Sequence, residues 1–331
     1  MILVRTPFRL PLGGGGTDLP AYYSRFGGKL ITAAVDKYMF VNINVPAIVD
    51  KILIKYTRAE AVDVDKLDDI QHELVREALK WLDYRRPIEI SSMADLSAGT
   101  GMGSSSSYTV GLWKGLNTLV RREISTQQLA EEACSIEIDR AGKPIGKQDQ
   151  YAAAFGGIVQ MNIDTEGKVD VEPLGLDHET ILDLEHRLMM FYTNIQRDAN
   201  VILSEQGKKV AVDEETATGS MHTIKQIGVE VGEALEAGDV SAFGRLLHTH
   251  WSEKKRISTK MSDPQIDGWY DLAMQNGALG GKLMGAGGGG FLLFCAAEGK
   301  RRHLRETLEA AGLRHMDFRF DWEGSKVLVN F

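Results

Sequence analysis

The amino-acid sequence predicts an α+β protein with two domains. Its 331 residues are long for one core, so we expect one domain over residues 1–180 and another over residues 181–331. Segments typical of strands and of helices are mixed, but without the regular βαβ order of a parallel sheet. Glycine-rich runs between several of these segments predict loops.

The first half of the chain combines strand and helix patterns. β-branched and aromatic residues, or apolar–polar alternation, predict strands at 2–10, 30–45, 51–56, 87–93, 157–163 and 169–171. Apolar residues at helical spacing predict helices at 65–82, 104–120 and 126–140. A loop that leads into a short helix follows within residues 142–157.

The second half is richer in long helices. A strand at 188–194 is followed by a polar stretch that extends to about Gly219. Helical periodicity then predicts helices at 220–237, 240–258, 263–275 and 300–311. A glycine-rich loop at 277–290 precedes a strand at 291–297, and two short strands are expected near the end.

Composition and charge exclude several classes of protein. A net charge of −8 without a long basic block argues against a nucleic-acid partner. No run approaches the roughly 18 apolar residues of a membrane helix, and the first apolar run is too short for a signal peptide. Cys134 and Cys295 lie far apart in apolar contexts, which is typical of reduced thiols. We therefore expect a cytoplasmic protein without a membrane partner.

The stretch DLSAGTGMGSSSSYTVG, residues 95–111, is the most informative part of the chain. Its glycines allow the backbone to approach a ligand, and the helix predicted after them adds the positive end of its dipole. Serine hydroxyls supply the oxygen ligands that Mg²⁺ prefers. A flexible linker is the alternative, but linkers rarely run straight into an amphipathic segment. The pattern predicts a phosphate-binding loop.

Two common nucleotide motifs do not fit the three glycine-rich runs at 13–16, 99–103 and 285–290. None of the runs matches the P-loop pattern GxxxxGK[ST]. The third run has the spacing GxGxxG, but a strand follows it, whereas the dinucleotide fingerprint follows a strand and opens a helix.

The order of four segments resembles that of the GHMP kinases, the superfamily of galactokinase, homoserine kinase, mevalonate kinase and phosphomevalonate kinase. The segments are RTPFRLPLGGGGTDLP, SAGTGMGSSSS, PIGKQDQ and KLMGAGGGGF, and they span nearly the whole chain. The stretches GGGGTDLP and GKQDQYAAAFGG are most similar to bacterial D-glycero-D-manno-heptose 7-phosphate kinases. The resemblance implies a ribosomal-protein-S5-like N-terminal domain, a ferredoxin-like C-terminal domain and an active site between them.

The resemblance also implies where ATP and Mg²⁺ bind. The loop that wraps the ATP phosphates corresponds to Gly99, Gly101, Gly103, Ser104, Ser105 and Ser106. Ser105 matches a magnesium ligand of the family, and Glu137 matches the second one. Asp139 is a competing carboxylate, whose alternative is a solvated helix face.

Catalytic roles follow in the same way. Asp149, in GKQDQ, matches the catalytic aspartate, and Arg9 matches the basic residue that faces it. A carboxylate beside the attacking hydroxyl either takes its proton or orients it, and the sequence leaves both roles open. Arg9 would face the transferring phosphoryl group, with a strand-end ion pair as the alternative.

The sugar side of the predicted site departs from galactokinase. Thr17 and Asp18 match its sugar-binding positions, and Asp18 lies nine residues after Arg9 in both. Gly15 and Gly16 stand where galactokinase has a glutamate and a histidine, which leaves room for a longer or phosphorylated sugar.

A phosphorylated sugar needs a cationic subsite for its far phosphate. The candidates are Arg140, Lys143, Lys147 and Arg197, each with an exposed surface charge as the alternative. The resemblance thus implies a kinase that uses ATP and Mg²⁺ to phosphorylate the anomeric hydroxyl of a heptose 7-phosphate. The alternatives are another sugar-1-kinase of the superfamily, like fucokinase or galactokinase, and a ligand sensor without catalysis. A homodimer is left open.

Overall fold

The computed structural model describes residues 1–195, 204–205, 207–210, 212, 215–258, 261–285 and 287–331. Within these ranges the strands form two sheets that carry helices, so the predicted α+β class is confirmed. Arg197 and much of the polar stretch predicted before Gly219 lie outside the described residues.

The strands are numbered in chain order. They are β1 (Ile2–Gly13), β2 (Gly28–Asn44), β3 (Lys51–Lys55), β4 (Ala59–Asp63), β5 (Ile88–Ala94), β6 (Ile158–Ile163), β7 (Val169–Pro173), β8 (Leu188–Tyr192), β9 (Ala278–Leu283), β10 (Phe291–Ala296), β11 (Arg314–Met316) and β12 (Lys326–Asn330).

The helices are numbered in the same way. They are α1 (Pro20–Phe26), α2 (Glu73–Trp81), α3 (Ser104–Leu119), α4 (Thr126–Cys134), α5 (Gln148–Phe155), α6 (His178–Arg187), α7 (Glu215–Glu236), α8 (Val240–Ile257), α9 (Pro264–Gln275) and α10 (Arg301–Ala310).

The antiparallel pair β1–β2 is the centre of the first sheet. The described strands of this sheet run in the order β12-β1-β2-β5-β3-β4, and β6 and β7 continue from the first half of β2. Helices α3 and α5 pack on β1, and α7 also contacts it, so β1 is buried from Thr6 onward. This burial on both faces explains its apolar sequence, and it places Arg9 inside the protein.

Two predicted helices differ from the observed ones. The segment 65–82 begins with a 3₁₀ turn, Leu67–Asp69, because the backbone N–H groups of Gln71 and His72 donate to the Glu60 carboxylate before α2 starts. The segment 126–140 is helical to Cys134 and continues as a π-helical turn over Ser135–Arg140. Such turns are frequent at functional sites, and this one buries Glu137.

The second sheet has the antiparallel order β11-β8-β10-β9. The prediction of a loop over 277–290 is wrong for its first half, which is β9. Its glycines serve close packing: a Cβ at Gly280 would lie 2.1 Å from the Gly244 carbonyl oxygen of α8. A Cβ at Gly281 would lie 2.3 Å from the Phe294 ring. A glycine-rich composition therefore concealed a buried strand.

The end of the chain returns to the first sheet, where β12 pairs with β1. The predicted boundary between residues 180 and 181 falls within α6, and the division into two domains stays a prediction. Among the described residues, no helix is both long enough and apolar enough to cross a membrane.

Candidate active site

A cleft of about 360 Å³ lies between elements of the two sheets. From the first half of the chain it is lined by β1, the loop before α1, the glycine–serine loop with the start of α3, and the start of α5. From the second half it is lined by α8 and β9. Most of the residues predicted from the sequence meet in this cleft.

The glycine–serine loop forms a cradle at the start of α3. Gly101 and Gly103 have φ angles of 79° and 80°, which favour glycine, and Gly103 is the N-cap without a side-chain hydrogen bond. The first N–H groups of a helix have no partner within it, so those of α3 are available to an anion. A Cβ at Gly103 would lie 3.0 Å from the Asp149 carboxylate. The loop thus brings these N–H groups close to Asp149.

The third glycine-rich run packs against this loop. A Cβ at Gly285 would lie 2.7 Å from the Cα of Gly101, and one at Gly290 would lie 2.3 Å from the Thr100 carbonyl oxygen. Backbone therefore meets backbone where the two halves of the chain join. Larger residues at these positions would displace the loop.

Arg9 and Asp149 form a bidentate ion pair in the cleft. Arg9 donates from Nε to Oδ1 of Asp149 at 2.7 Å and from an Nη to Oδ2 at 2.8 Å. Its other Nη donates to the Gly101 carbonyl oxygen at 2.6 Å. The Arg9 side chain is 7% exposed and that of Asp149 is 24% exposed, so the carboxylate is the more accessible partner, and both residues line the cleft.

Ser105 and Glu137 are hydrogen-bonded partners beside the cradle. The Ser105 hydroxyl donates to Glu137, whose second carboxylate oxygen accepts from the Gln150 side-chain amide at 2.8 Å. Burial raises the pKa of Glu137, and these hydrogen bonds with that of Ser106 oppose the rise. A hydroxyl next to a buried carboxylate fits a Mg²⁺ ion, because a cation would favour the ionised form. Asp139 is exposed and accepts a hydrogen bond from Ser135 instead.

Asp18 lies at the sugar end of the predicted site. Its two carboxylate oxygens accept from the backbone N–H groups of Gln148, at 3.0 Å, and Gly16, at 3.1 Å. Burial is the main cause of a raised pKa of Asp18, and the nearby charge of Asp149 raises it further. The two backbone hydrogen bonds lower the pKa and so oppose this rise. The Gly146 backbone lies close to the Asp18 carboxylate, since a Cβ at Gly146 would lie 1.9 Å from it.

The neighbours of Asp18 divide into two groups. Gly15 and Gly16 line the cleft, and their role in a sugar site stays a prediction. Thr17 is buried and does not line it, because its hydroxyl donates to the carbonyl oxygens of Gly14, at 2.8 Å, and Lys29, at 3.0 Å. These bonds direct the Thr17 side chain into the fold.

The cations predicted to bind a far phosphate are dispersed. Arg140 is exposed, with its guanidinium 4.5 Å from the Trp81 ring centre, and Lys147 donates to the Gly167 carbonyl oxygen. Neither lines the cleft. Lys143 does line it, while it forms an ion pair with Glu73. Arg197 lies outside the described residues.

Four polar residues that line the cleft were not expected from the sequence. They are Gln148, His250, Lys254 and Lys282. Lys254 belongs to the basic last turn of α8, where a cation also compensates the helix dipole. The spacing of His250 and Lys254 offered a signal, because residues four apart share one helix face. Lys282 was hidden by the interpretation of β9 as a loop.

Comparisons with known proteins agree with the predicted family. Residues 72–157 match the GHMP kinases N terminal domain, and residues 233–312 match the GHMP kinases C terminal domain. The chain is 32% identical to a D-glycero-alpha-D-manno-heptose 7-phosphate kinase of Campylobacter jejuni, over 98% of both chains. It is 27% identical to a galactokinase of Thermococcus kodakarensis, over 92% of this chain and 93% of the relative.

A solved structure has the same fold. It is that of a D-glycero-D-manno-heptose 1-phosphate kinase from Bacteriodes thetaiotaomicron, with a TM-score of 0.83, 26% identity and coverage of 100% of both chains. This likeness confirms the predicted GHMP kinase fold. Together with the two domain matches and the full-length relative, it shows that the chain belongs to the GHMP kinases.

Proposed function

We propose that this GHMP kinase, an ATP-dependent sugar kinase, transfers the γ-phosphoryl group of ATP to the anomeric hydroxyl of D-glycero-D-manno-heptose 7-phosphate. The product is the 1,7-bisphosphate. The observation that carries the proposal is the position of the Asp149 carboxylate, which adjoins the phosphate cradle at Gly103 and is close enough to Asp18 to raise its pKa. A hydroxyl held between Asp18 and the cradle would meet Asp149.

The proposed step requires little covalent work from the protein. The anomeric oxygen forms a bond to the γ-phosphorus, the bond from that phosphorus to the β–γ bridging oxygen breaks, and ADP leaves with the electron pair. Asp149 accepts the hydrogen bond and then the proton of the attacking hydroxyl. Asp18 accepts hydrogen bonds from other sugar hydroxyls, which distinguishes epimers.

Arg9 is proposed to stabilise the transferring group while it fixes Asp149. A guanidinium has five N–H donors, and three of them are used in the contacts described above. Within the described residues, two donors therefore remain for phosphoryl oxygens. The N–H groups at the start of α3 supply further donors, and such preorganised groups stabilise charge that develops in the transition state.

The Ser105 hydroxyl and the Glu137 carboxylate are proposed to hold Mg²⁺. A bound magnesium ion supplies positive charge to the oxygens of the nucleotide phosphates. Glu137 is only 1% exposed, so its negative charge raises the free energy of the folded protein unless a cation compensates it. The π-helical turn over Ser135–Arg140 holds this carboxylate against Ser105.

The choice of a heptose phosphate rests on the relatives and on the room in the cleft. The Campylobacter relative is named for a heptose 7-phosphate, and the Bacteriodes structure for a heptose 1-phosphate. Both names thus specify a phosphorylated heptose. Glycines at positions 15 and 16 place no side chains in this part of the cleft, which leaves room for a substrate larger than galactose.

A coupled assay of ADP release with a panel of sugars tests the function. We expect kcat/KM for D-glycero-D-manno-heptose 7-phosphate to exceed that for free fucose or galactose by about 100-fold or more. The reason is that a site with polar groups for a phosphate rejects sugars that lack the phosphate. Phosphorus NMR of the product should show the new phosphate on C1. Better turnover of fucose or galactose would contradict the substrate, and no sugar-dependent ADP would indicate a ligand sensor.

Replacement of the proposed catalytic carboxylate gives a second test. We expect Asp149→Asn to lower kcat by about 10²- to 10⁴-fold, since the amide cannot accept the proton. Affinity for ATP, measured by calorimetry, should stay close to that of the wild type. Asp139→Asn is the matched control and should retain normal kcat. Near-normal turnover by Asp149→Asn would contradict its role.

The proposed metal ligands make a third prediction. In Ser105→Ala, the Mg²⁺ concentration for half-maximal rate should rise about tenfold or more, because an oxygen ligand is lost. Ser107→Ala is the control within the same serine run, since the Ser107 hydroxyl donates to the Pro7 carbonyl oxygen inside the protein. An unchanged magnesium requirement in Ser105→Ala would remove Ser105 from the metal site.

A further inference from the structure

Three basic side chains from the second half of the chain line the cleft and have no role in the chemistry described above. His250 and Lys254 belong to α8, and Lys282 belongs to β9. His250 is 1% exposed and Lys282 is 2% exposed. A lysine buried as deeply as Lys282 usually has a carboxylate partner.

The two lysines bond to neutral groups instead. The Lys282 ammonium lies 3.3 Å from His250 Nδ1, and Lys254 donates to the Gly285 carbonyl oxygen. Throughout the described part of the chain, no carboxylate forms an ion pair with either lysine. The buried arginines differ, because Arg9 pairs with Asp149, and Arg187 pairs with Asp183 at 3.1 Å.

The second ring nitrogen of His250 is also buried in the cleft. This atom, Nε2, makes no hydrogen bond of normal geometry within the described residues, although the Gly15 backbone lies close to the ring. A buried polar atom without a partner costs free energy, which a ligand in the cleft would recover. The histidine and the two lysines thus offer a set of donors to an anion.

Burial without a carboxylate partner among the described residues disfavours the charged forms of the three groups. Burial lowers the pKa of Lys282 and of His250 well below their usual values, and the neighbouring lysines add to the effect. Burial, and then the charge of Arg9, lowers the pKa of Lys254 to about 8. An anionic ligand would restore the protonated forms, because an opposite charge favours them.

The cluster lies near the sugar loop and near the Arg9 guanidinium. The Gly15 backbone, in the loop that carries Asp18, raises the pKa of His250 and so lies close to it. The charge of Asp18 likewise raises the pKa of Lys254, although burial and Arg9 lower it more. Among the described contacts, none joins the cluster to Ser105 or Glu137.

We propose that His250, Lys254 and Lys282 form the subsite that binds the phosphate at the far end of a sugar phosphate. The ligand is a phosphate monoester dianion, which a heptose 7-phosphate carries at the opposite end of the sugar from its anomeric hydroxyl. This inference rests on the proposed sugar kinase function. It replaces Arg140 and Lys147, whose side chains are bound elsewhere, and it leaves Lys143 as the rival cation of the cleft.

Steady-state kinetics with two acceptors test the subsite. The acceptors are D-glycero-D-manno-heptose 7-phosphate and the same heptose without phosphate, and the variant is Lys282→Met. We expect the ratio of their kcat/KM values to fall by about 10- to 100-fold, chiefly through KM for the phosphate ester, because a charge-assisted contact is lost. Lys255→Met is the matched control, since Lys255 is the neighbour of Lys254 on α8 and pairs with Asp267 at 3.1 Å. Its ratio should equal that of the wild type.

Competition in the wild-type enzyme gives a test that does not depend on the folding of a variant. Inorganic phosphate should compete with the heptose 7-phosphate and should not inhibit turnover of the free heptose competitively. Competition with both acceptors, or with neither, would overturn the proposal. A fall in the ratio of kcat/KM for the two acceptors in Lys143→Met, but not in Lys282→Met, would also overturn the proposal.

Two further outcomes separate this inference from the proposed function. A rise in KM for ATP as large as that for the sugar phosphate would overturn the subsite, because the cluster would then serve the nucleotide. If no sugar is phosphorylated, the proposed function fails, and calorimetric binding of the heptose 7-phosphate still decides the subsite. Affinity that is lower in Lys282→Met than in Lys255→Met supports it, and equal affinities overturn it.

Discussion

The ion pair between Arg9 and Asp149 joins three parts of the chain that are distant in sequence. Arg9 comes from the buried strand β1, Asp149 from the first turn of α5, and the same guanidinium holds the Gly101 carbonyl oxygen of the glycine–serine loop. The cradle, the carboxylate and the central strand are therefore fixed by one side chain. A bidentate contact restricts orientation as well as distance, which phosphoryl transfer requires because positioning supplies most of its catalysis.

Close backbone packing holds the second half of the chain to this centre. Gly285 meets Gly101, and Gly290 meets Thr100, at distances that leave no room for a side chain. Lys254 bonds to the Gly285 carbonyl oxygen, so the basic cluster is tied to the same junction. The glycines of the third run thus act through packing, and the cleft that they close contains both the proposed phosphoryl-transfer site and the proposed anion subsite.

The predicted residues that the structure brings into the cleft are mainly those whose prediction depends on local order. The loop and its helix could be identified because glycine, serine and an amphipathic segment follow one another, and Arg9 and Asp149 stand in recognisable segments. Long-range packing decided the rest. The bonds of Thr17 to Gly14 and Lys29, the π-helical turn that buries Glu137, and the strand that carries Lys282 depend on neighbours distant in the chain. Burial of lysines in a cleft is likewise a property of the fold.

A crystal structure with D-glycero-D-manno-heptose 7-phosphate and a non-hydrolysable ATP analogue would test the central claim most directly. We predict that the anomeric oxygen lies within hydrogen-bond distance of the Asp149 carboxylate, with Arg9 against the γ-phosphate. An intact Arg9–Asp149 pair with a different sugar hydroxyl at the carboxylate would contradict phosphorylation at C1. A γ-phosphate remote from both residues would contradict the account as a whole.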